Sequence, residues 1–171
     1  MLSPEVRLSL LADVLTQRQR SYNMSQIKAR HTKPEKLLKL ALASRGLRYS
    51  SGSRLPGKPD LVVVNARLAV FVDGCFWHQC PKHMTWPATN GRFWKTKILS
   101  NVARDQKVRR LLRRNNWRVA RVWEHSIRTD AVACARRLEQ IIERLCAARH
   151  LPVPRRKSSA PLSISRRRRS T

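Results

Sequence analysis

A chain of 171 residues can bury one sizeable core, and its 37 Lys and Arg against 10 Asp and Glu leave a formal net charge of +27. An ordinary soluble enzyme has no need of such an excess, whereas a polyanion would use it: Lys and Arg that neutralise phosphates release condensed counterions, which supplies most sequence-independent nucleic-acid affinity. No apolar run approaches the roughly 20 residues of a spanning helix, and "LSLLADVL" is interrupted by Asp13 and lacks a cleavage-like site, so a cytoplasmic protein without membrane contact is expected.

Residues 1–17 read as an N-terminal extension, and "RQRSYNMSQIKARH" (18–31) as a basic arm outside the core, centred on Met24. "TKPEKLLKLALASRG" then opens with Thr-x-x-Glu and an early Pro34, carries Leu37, Leu38, Ala41 and Leu42 at helical spacing and stops at Gly46, which predicts a helix. After a loop rich in Ser, Gly and Pro, "DLVVV" and "RLAVFVD" predict two central strands joined through "NA" as a hairpin with a tight turn. "FWKTKILSNVARDQKVRRLLRRNN" predicts a basic helix that buries Ile98, Val102, Leu111 and Leu112, and "WRVARVWE" a third strand. A last helix over about 130–148 carries Leu138, Ile141, Ile142 and Leu145 on one face. Residues 149–171, rich in Pro, Ser and Arg without an acidic residue, read as a disordered basic tail. The order helix, strand, strand, helix, strand, helix predicts an α/β fold, a small mixed central sheet flanked by helices.

The chemistry concentrates in "VDGCFWHQCPKH". Cys75, Cys80 and His83 offer soft sulfur and imidazole donors at C-x4-C-x2-H spacing, the set preferred by tetrahedral Zn2+. His125 at the end of the third predicted strand supplies a fourth ligand, which would close the site and make it structural. Cys134 and Cys146 read as packing residues. His78, between the two cysteines, is left for acid-base work near neutral pH. Asp60 begins a strand directly after "GKP", where a carboxylate can hold Mg2+ against a phosphodiester.

"RSYNMSQIKARHTKPE", "LPGKPDLVV", "VFVDGCFWHQCPKH", "PATNGRFWKTKILSNVARD" and "WRVARVWEHSI" together resemble, in order, the successive blocks of the very short patch repair (Vsr-type) endonucleases over about residues 18–145. The resemblance implies a restriction-endonuclease-like fold over residues 18–148 and an Mg2+-dependent enzyme. Such an enzyme nicks one DNA strand beside a T:G mismatch left by deamination of 5-methylcytosine. It implies Mg2+ on Asp60 and on the backbone carbonyl of Val72, His78 as general base, and Glu35 reaching the metal through water. Zinc falls to Cys75, Cys80, His83 and His125. Phe76, Trp77 and Trp94 become wedges beside the mismatch, and Met24 a residue inserted from the minor-groove side. Insertion is favoured there because a mismatch is already weakly stacked.

Plainer roles stand beside these. Glu35 equally completes a capping box with Thr32; Trp94 equally packs in the core; at least one of the adjacent Phe76 and Trp77 should be exposed. Asn101 and Asp105, four apart on one helical face, either orient His78 or are surface polar groups. Asp73 either adds a metal contact or hydrogen-bonds the loop before Cys75. The expected partner is mismatched duplex DNA bound by a monomer, with mismatch-repair and DNA cytosine methyltransferase pathway partners. The competing readings are a zinc-stabilised binder without catalysis and a restriction or junction nuclease without mismatch preference.

Overall fold

The structure is a computed structural model that describes residues 16, 18, 19, 22, 31–51 and 54–156. Residues 1–15, 17, 20, 21, 23–30 with Met24 among them, 52, 53 and the tail from residue 157 lie outside the described residues.

The first long helix, α1 (Lys33–Ser44), starts as its sequence dictates. Thr32 accepts from the Glu35 backbone, the Glu35 carboxylate reaches back to the Thr32 backbone, and Pro34 occupies the first turn, where its missing N–H costs nothing. It stops at Gly46, whose φ of +73° suits a residue without Cβ. Leu38, Ala41 and Leu42 are buried, and Leu37 packs on the core from its edge.

Strand β1 (Leu61–Val63) pairs antiparallel with β2 (Leu68–Asp73), which pairs parallel with β3 (Arg118–Trp123). The sheet order is β1-β2-β3, so of the two strands expected to be central only β2 is. The hairpin forms, but its turn spans residues 64–67 rather than two residues, and Val64 lies in it 64% exposed. Arg67 takes a φ of +44° there and its N–H donates to the Val64 carbonyl at 2.8 Å, which closes the turn.

Helix α2 (Gly91–Arg114) makes the crossover between the parallel strands. It buries Ile98 and Leu112 as expected, but also Asn101, while Leu111 is 42% exposed. Leu111 is a helical step of about 100° from Leu112 and falls outside the inward face. The third strand ends one residue early, because Glu124 and His125 open a short helix, α3 (Glu124–Thr129). Helix α4 (Ala131–Ala147) is capped by Asp130, which accepts from the Ala133 backbone at 2.8 Å. It buries Ala135, Leu138, Ile142 and Cys146, with Ile141, Leu145 and Cys134 packed at the edge of the core.

The period of two along the strands sorts the two sheet faces. Val70, Val72, Ala120 and Val122 join the apolar core with α1, α3 and α4. Phe71, Asp73, Val119 and Arg121 line a cleft on the opposite face, which α2 also borders.

Residues 149–156 do not behave as the tail expected there. Arg155 forms an isolated bridge with Leu47, pairs with Glu139 at 2.8 Å and with Glu143 at 3.3 Å, and the Arg48 N–H donates to the Pro154 carbonyl at 2.8 Å. The physical reason is Glu139: this carboxylate is buried and needs the cations of Arg45 and Arg155. Burial alone would raise its pKa, but hydrogen bonds from both guanidinium groups hold it below the usual carboxylate range.

Candidate active site and metal centre

The cleft, about 1020 Å³, brings Glu35, Asp60, Asp73, His78, Asp105 and Arg121 together from α1, the strands, the loop after β2 and α2. Asp60 is delivered by the turn "LPGKPD". Gly57 there has a φ of +75°, and a Cβ on it would come within 2.4 Å of Val108 on α2, so the turn is seated directly on that helix. The Asp60 N–H donates to the Val70 carbonyl at 3.0 Å and its Oδ2 accepts from the Val72 N–H at 2.7 Å. A strand residue points its N–H and C=O to the same edge. The Val72 carbonyl therefore leaves β2 on the side of Asp60, beyond Val70, the last residue of β2 paired with β1.

Burial pushes the Asp60 carboxyl up to about 6; the Val72 hydrogen bond and Lys39 oppose this, and the charges of Glu35 and Asp73 add to it. Among the described residues no second donor reaches Asp60. A carboxylate crowded by acids and short of donors, beside a backbone carbonyl, is a hard oxygen set that fits Mg2+. Glu35 is the capping-box residue of α1 and also lines this cleft, accepting from the His31 N–H at 2.9 Å. Both readings of Glu35 are geometrically compatible.

His78 lies in the turn after β2, its N–H donating to the Gly74 carbonyl at 3.2 Å. Its Nδ1 is 2.5 Å from Asp105 Oδ2 on α2 and 3.9 Å from Asp73 Oδ1. That commits Nδ1 and leaves Nε2 as the nitrogen able to take a proton. Burial would raise the Asp105 pKa, but the hydrogen bond to His78 and the charges of His78, Arg121 and Arg104 bring it below the usual range. Asn101, one turn before Asp105, makes no hydrogen bond to His78 among the described residues. Its Nδ2 donates to the Trp77 carbonyl at 3.2 Å, so it holds the loop that carries the histidine. Asp73 is held by Arg121 Nε, and the loop before Cys75 is tied instead by Glu124, whose Oε1 accepts from the Cys75 N–H at 2.8 Å.

Arg121 and Glu124 escaped the sequence reading. Arg121 could have been noticed as a cation inside an apolar run, on the strand face opposite Val122; nothing local marked Glu124.

Cys75, Cys80, His83 and His125 converge so that their ligand atoms all lie within 4.8 Å of one another. Cys75 Sγ is 3.1 Å from His125 Nδ1, and Cys80 Sγ is 3.6 Å from His125 Nδ1 and 3.8 Å from His83 Nδ1. Tetrahedral bonds of about 2.0–2.3 Å place donors about 3.3–3.8 Å apart, so the set fits a closed metal site. Burial pushes the Cys75 thiol up, so a metal must displace a proton to bind there.

Phe76, Trp77 and Trp94 pack on one another, with ring centroids 5.0 Å apart for Phe76–Trp77, 5.2 Å for Phe76–Trp94 and 6.0 Å for Trp77–Trp94. All three are half-buried, so neither Phe76 nor Trp77 is the exposed ring expected of adjacent strand residues: both sit in a turn, where facing does not alternate. Phe93, edge-on to Trp94 at 5.2 Å, is 59% exposed.

Residues 12–85, which include Glu35, Asp60, Val72 and His78, match the family described as "DNA mismatch endonuclease Vsr". The chain is 45% identical over 120 residues to the type II nicking enzyme V.NaeI of Lentzea aerocolonigenes, covering 67% of this chain and 72% of that one. It is 40% identical over 139 residues to the DNA mismatch endonuclease Vsr of Escherichia coli K12, covering 77% and 88%. With the type II nicking enzyme V.XorIIP of Xanthomonas oryzae pv. oryzae it shares 37% over 135 residues, covering 78% and 98%.

The chain belongs to the Vsr endonuclease family. It is a DNA-nicking endonuclease, a hydrolase of DNA repair. The Vsr match ends before Asn101, Asp105, Arg121 and His125, which reach the site only through the fold. Among the described residues, no helix is long and apolar enough to cross a membrane.

Proposed function

We propose that this Vsr-family enzyme nicks one strand of duplex DNA at T:G mismatches arising from 5-methylcytosine deamination, and so initiates very short patch repair. The observation that carries the reading is the meeting of Asp60 and His78 in one cleft, with His78 Nδ1 held by Asp105. His78 Nε2 takes the proton of the attacking water, and Asp105 keeps the other ring nitrogen protonated and the ring aimed. Asp60 and the Val72 carbonyl, with Glu35 reaching it through water, would hold Mg2+, which would supply Lewis-acid polarisation of the phosphate and charge stabilisation for the leaving oxygen. Cys75, Cys80, His83 and His125 would hold Zn2+, which would fix the loop that carries His78 and stabilise a small chain loaded with like charge. The mixed sheet with Asp60 at a strand start is consistent with a restriction-endonuclease-like core.

The mismatch itself is read through the aromatic cluster. Phe76, Trp77 and Trp94, with Met24 from the minor-groove side, wedge into a step that mispairing has already weakened. The name of the Escherichia coli relative supports a mismatch substrate; the names of the nicking relatives support cleavage of one strand.

A labelled-duplex assay tests the reading. T:G and fully paired substrates are incubated with or without Mg2+, using the wild type and Asp60→Ala. One-strand cutting of the T:G duplex that needs Mg2+ and Asp60 is expected. Equal cutting of paired DNA rejects the mismatch preference, and cutting by Asp60→Ala at the wild-type rate rejects the metal site.

A further inference from the structure

Two carboxylates compete for one nitrogen in the cleft. His78 Nδ1 stands 2.5 Å from Asp105 Oδ2 and 3.9 Å from Asp73 Oδ1. Asp73 comes from β2 and Asp105 from α2, so the imidazole would point in different directions according to which one holds it. Arg121 lies between them: its Nε engages Asp73 Oδ2 and its Nη2 is 3.4 Å from Asp105 Oδ2. The guanidinium is itself held, its carbon 5.4 Å from the ring centroid of Trp123.

We infer that Arg121 is a positioning residue, which binds Asp73 away from His78 and braces Asp105, so that Asp105 alone orients the imidazole. The inference rests on the proposed role of His78 as the base.

The physical ground is the burial of Asp73, whose side chain is only 5% exposed. A desolvated carboxylate must find a donor. With Arg121 present the fork of its guanidinium fills that need, as a planar donor set matched to carboxylates. With Arg121 gone, the ionic partner left to Asp73 among the described residues is His78 Nδ1, 3.9 Å away, and the ring is drawn off Asp105. Nε2 then turns away from the water it must deprotonate, although His78, Asp105 and Asp60 are all still present. Arg121 is thereby distinguished from the other cations that line the cleft, Lys33, Lys58, Arg104, Arg109 and Arg128, which would act on DNA affinity.

The test is steady-state nicking of a T:G duplex at saturating Mg2+ by Arg121→Leu, Arg121→Lys and each of these combined with Asp73→Asn, with His78→Ala as the reference. Folding of each variant is checked by thermal melting and zinc content. Arg121→Leu should lower kcat about 10–100-fold with KM within about threefold. Adding Asp73→Asn, which removes the competing charge, should restore kcat by about tenfold. Arg121→Lys, a point charge unable to span both carboxylates, should lose several-fold and respond to Asp73→Asn in the same direction. Should the leucine variant fail to fold, the lysine pair carries the test. A loss that appears in KM, an unchanged kcat in the folded variants, or a double variant no faster than the single one overturns the inference. If His78→Ala nicks as fast as the wild type, the role of His78 as base fails instead; an inactive His78→Ala beside a fully active Arg121→Leu rejects this inference alone.

Discussion

Replacing Asp60 by Asn should stabilise the protein in Mg2+-free buffer, because the carboxylate is held where it is costly. Raising its pKa from the ordinary 3.8 to about 6 means that ionisation in the folded state costs up to about 3 kcal/mol more than in the unfolded chain, at about 1.36 kcal/mol per tenfold change in proton affinity. The folded pKa is the higher one, so this contribution to stability is present below about pH 4 and is lost as pH rises through about 6. Asn keeps the acceptor for the Val72 N–H and carries no charge. The variant should therefore match the wild type near pH 4 and exceed it by about 1–3 kcal/mol above pH 6. At about 2–4 °C per kcal/mol for a chain of this size, that is roughly 2–12 °C in Tm. Thermal melts of both proteins from pH 4 to pH 8 measure it, since titrations common to the two cancel in the difference. Mg2+ should then raise the Tm of the wild type and not of the variant. A difference that is flat with pH, or a variant less stable than the wild type at pH 7.5, refutes the placement of a strained, cation-seeking carboxylate in the cleft.

His78→Ala should lower the nicking rate by about 10²–10⁴-fold, and Asp105→Asn by about 10–100-fold, both measured at saturating DNA; unimpaired variants would remove the imidazole from the chemistry. Cys80→Ser should lower zinc content below one equivalent by elemental analysis and drop the Tm by many degrees, whereas an unchanged Tm would deny the cluster a structural role. Gly57→Ala should destabilise by about 1–3 kcal/mol in urea titrations, since its Cβ would sit 2.4 Å from Val108 Cγ1 at a φ of +75°; a neutral result would show that α2 yields. Truncation after Arg156 should leave the Tm intact and flatten the salt dependence of DNA binding, whereas truncation after His150 should also cost about 1–3 kcal/mol through loss of the Arg155 contacts with Glu139 and Glu143. Equal salt slopes in full-length and truncated proteins would exclude the tail from DNA binding.

Local chemistry made much of this protein legible in its sequence. The capping box at Thr32 and Glu35, the stop at Gly46, the apolar runs of the strands and the four metal-type donors are signals written within a few residues, or by residue type alone. The elements they imply are present, and the net charge of +27 agrees with a DNA-acting enzyme. The misjudged edges also have local causes: turn residues such as Val64 are apolar without being strand, and Leu111 is apolar but a helical step away from the buried face.

What only the tertiary structure decided is which of several polar groups meets which. Asp105 is 27 residues from His78, Arg121 is 48 from Asp73, and Glu124 is 49 from Cys75. No periodicity links such positions; the parallel register of β2 with β3 and the lie of α2 across the cleft bring them together. The same holds for residues 149–156, whose composition reads as solvated chain until the buried Glu139 is seen to require a cation. Pairing across long separations depends on burial, and burial is a property of the whole fold.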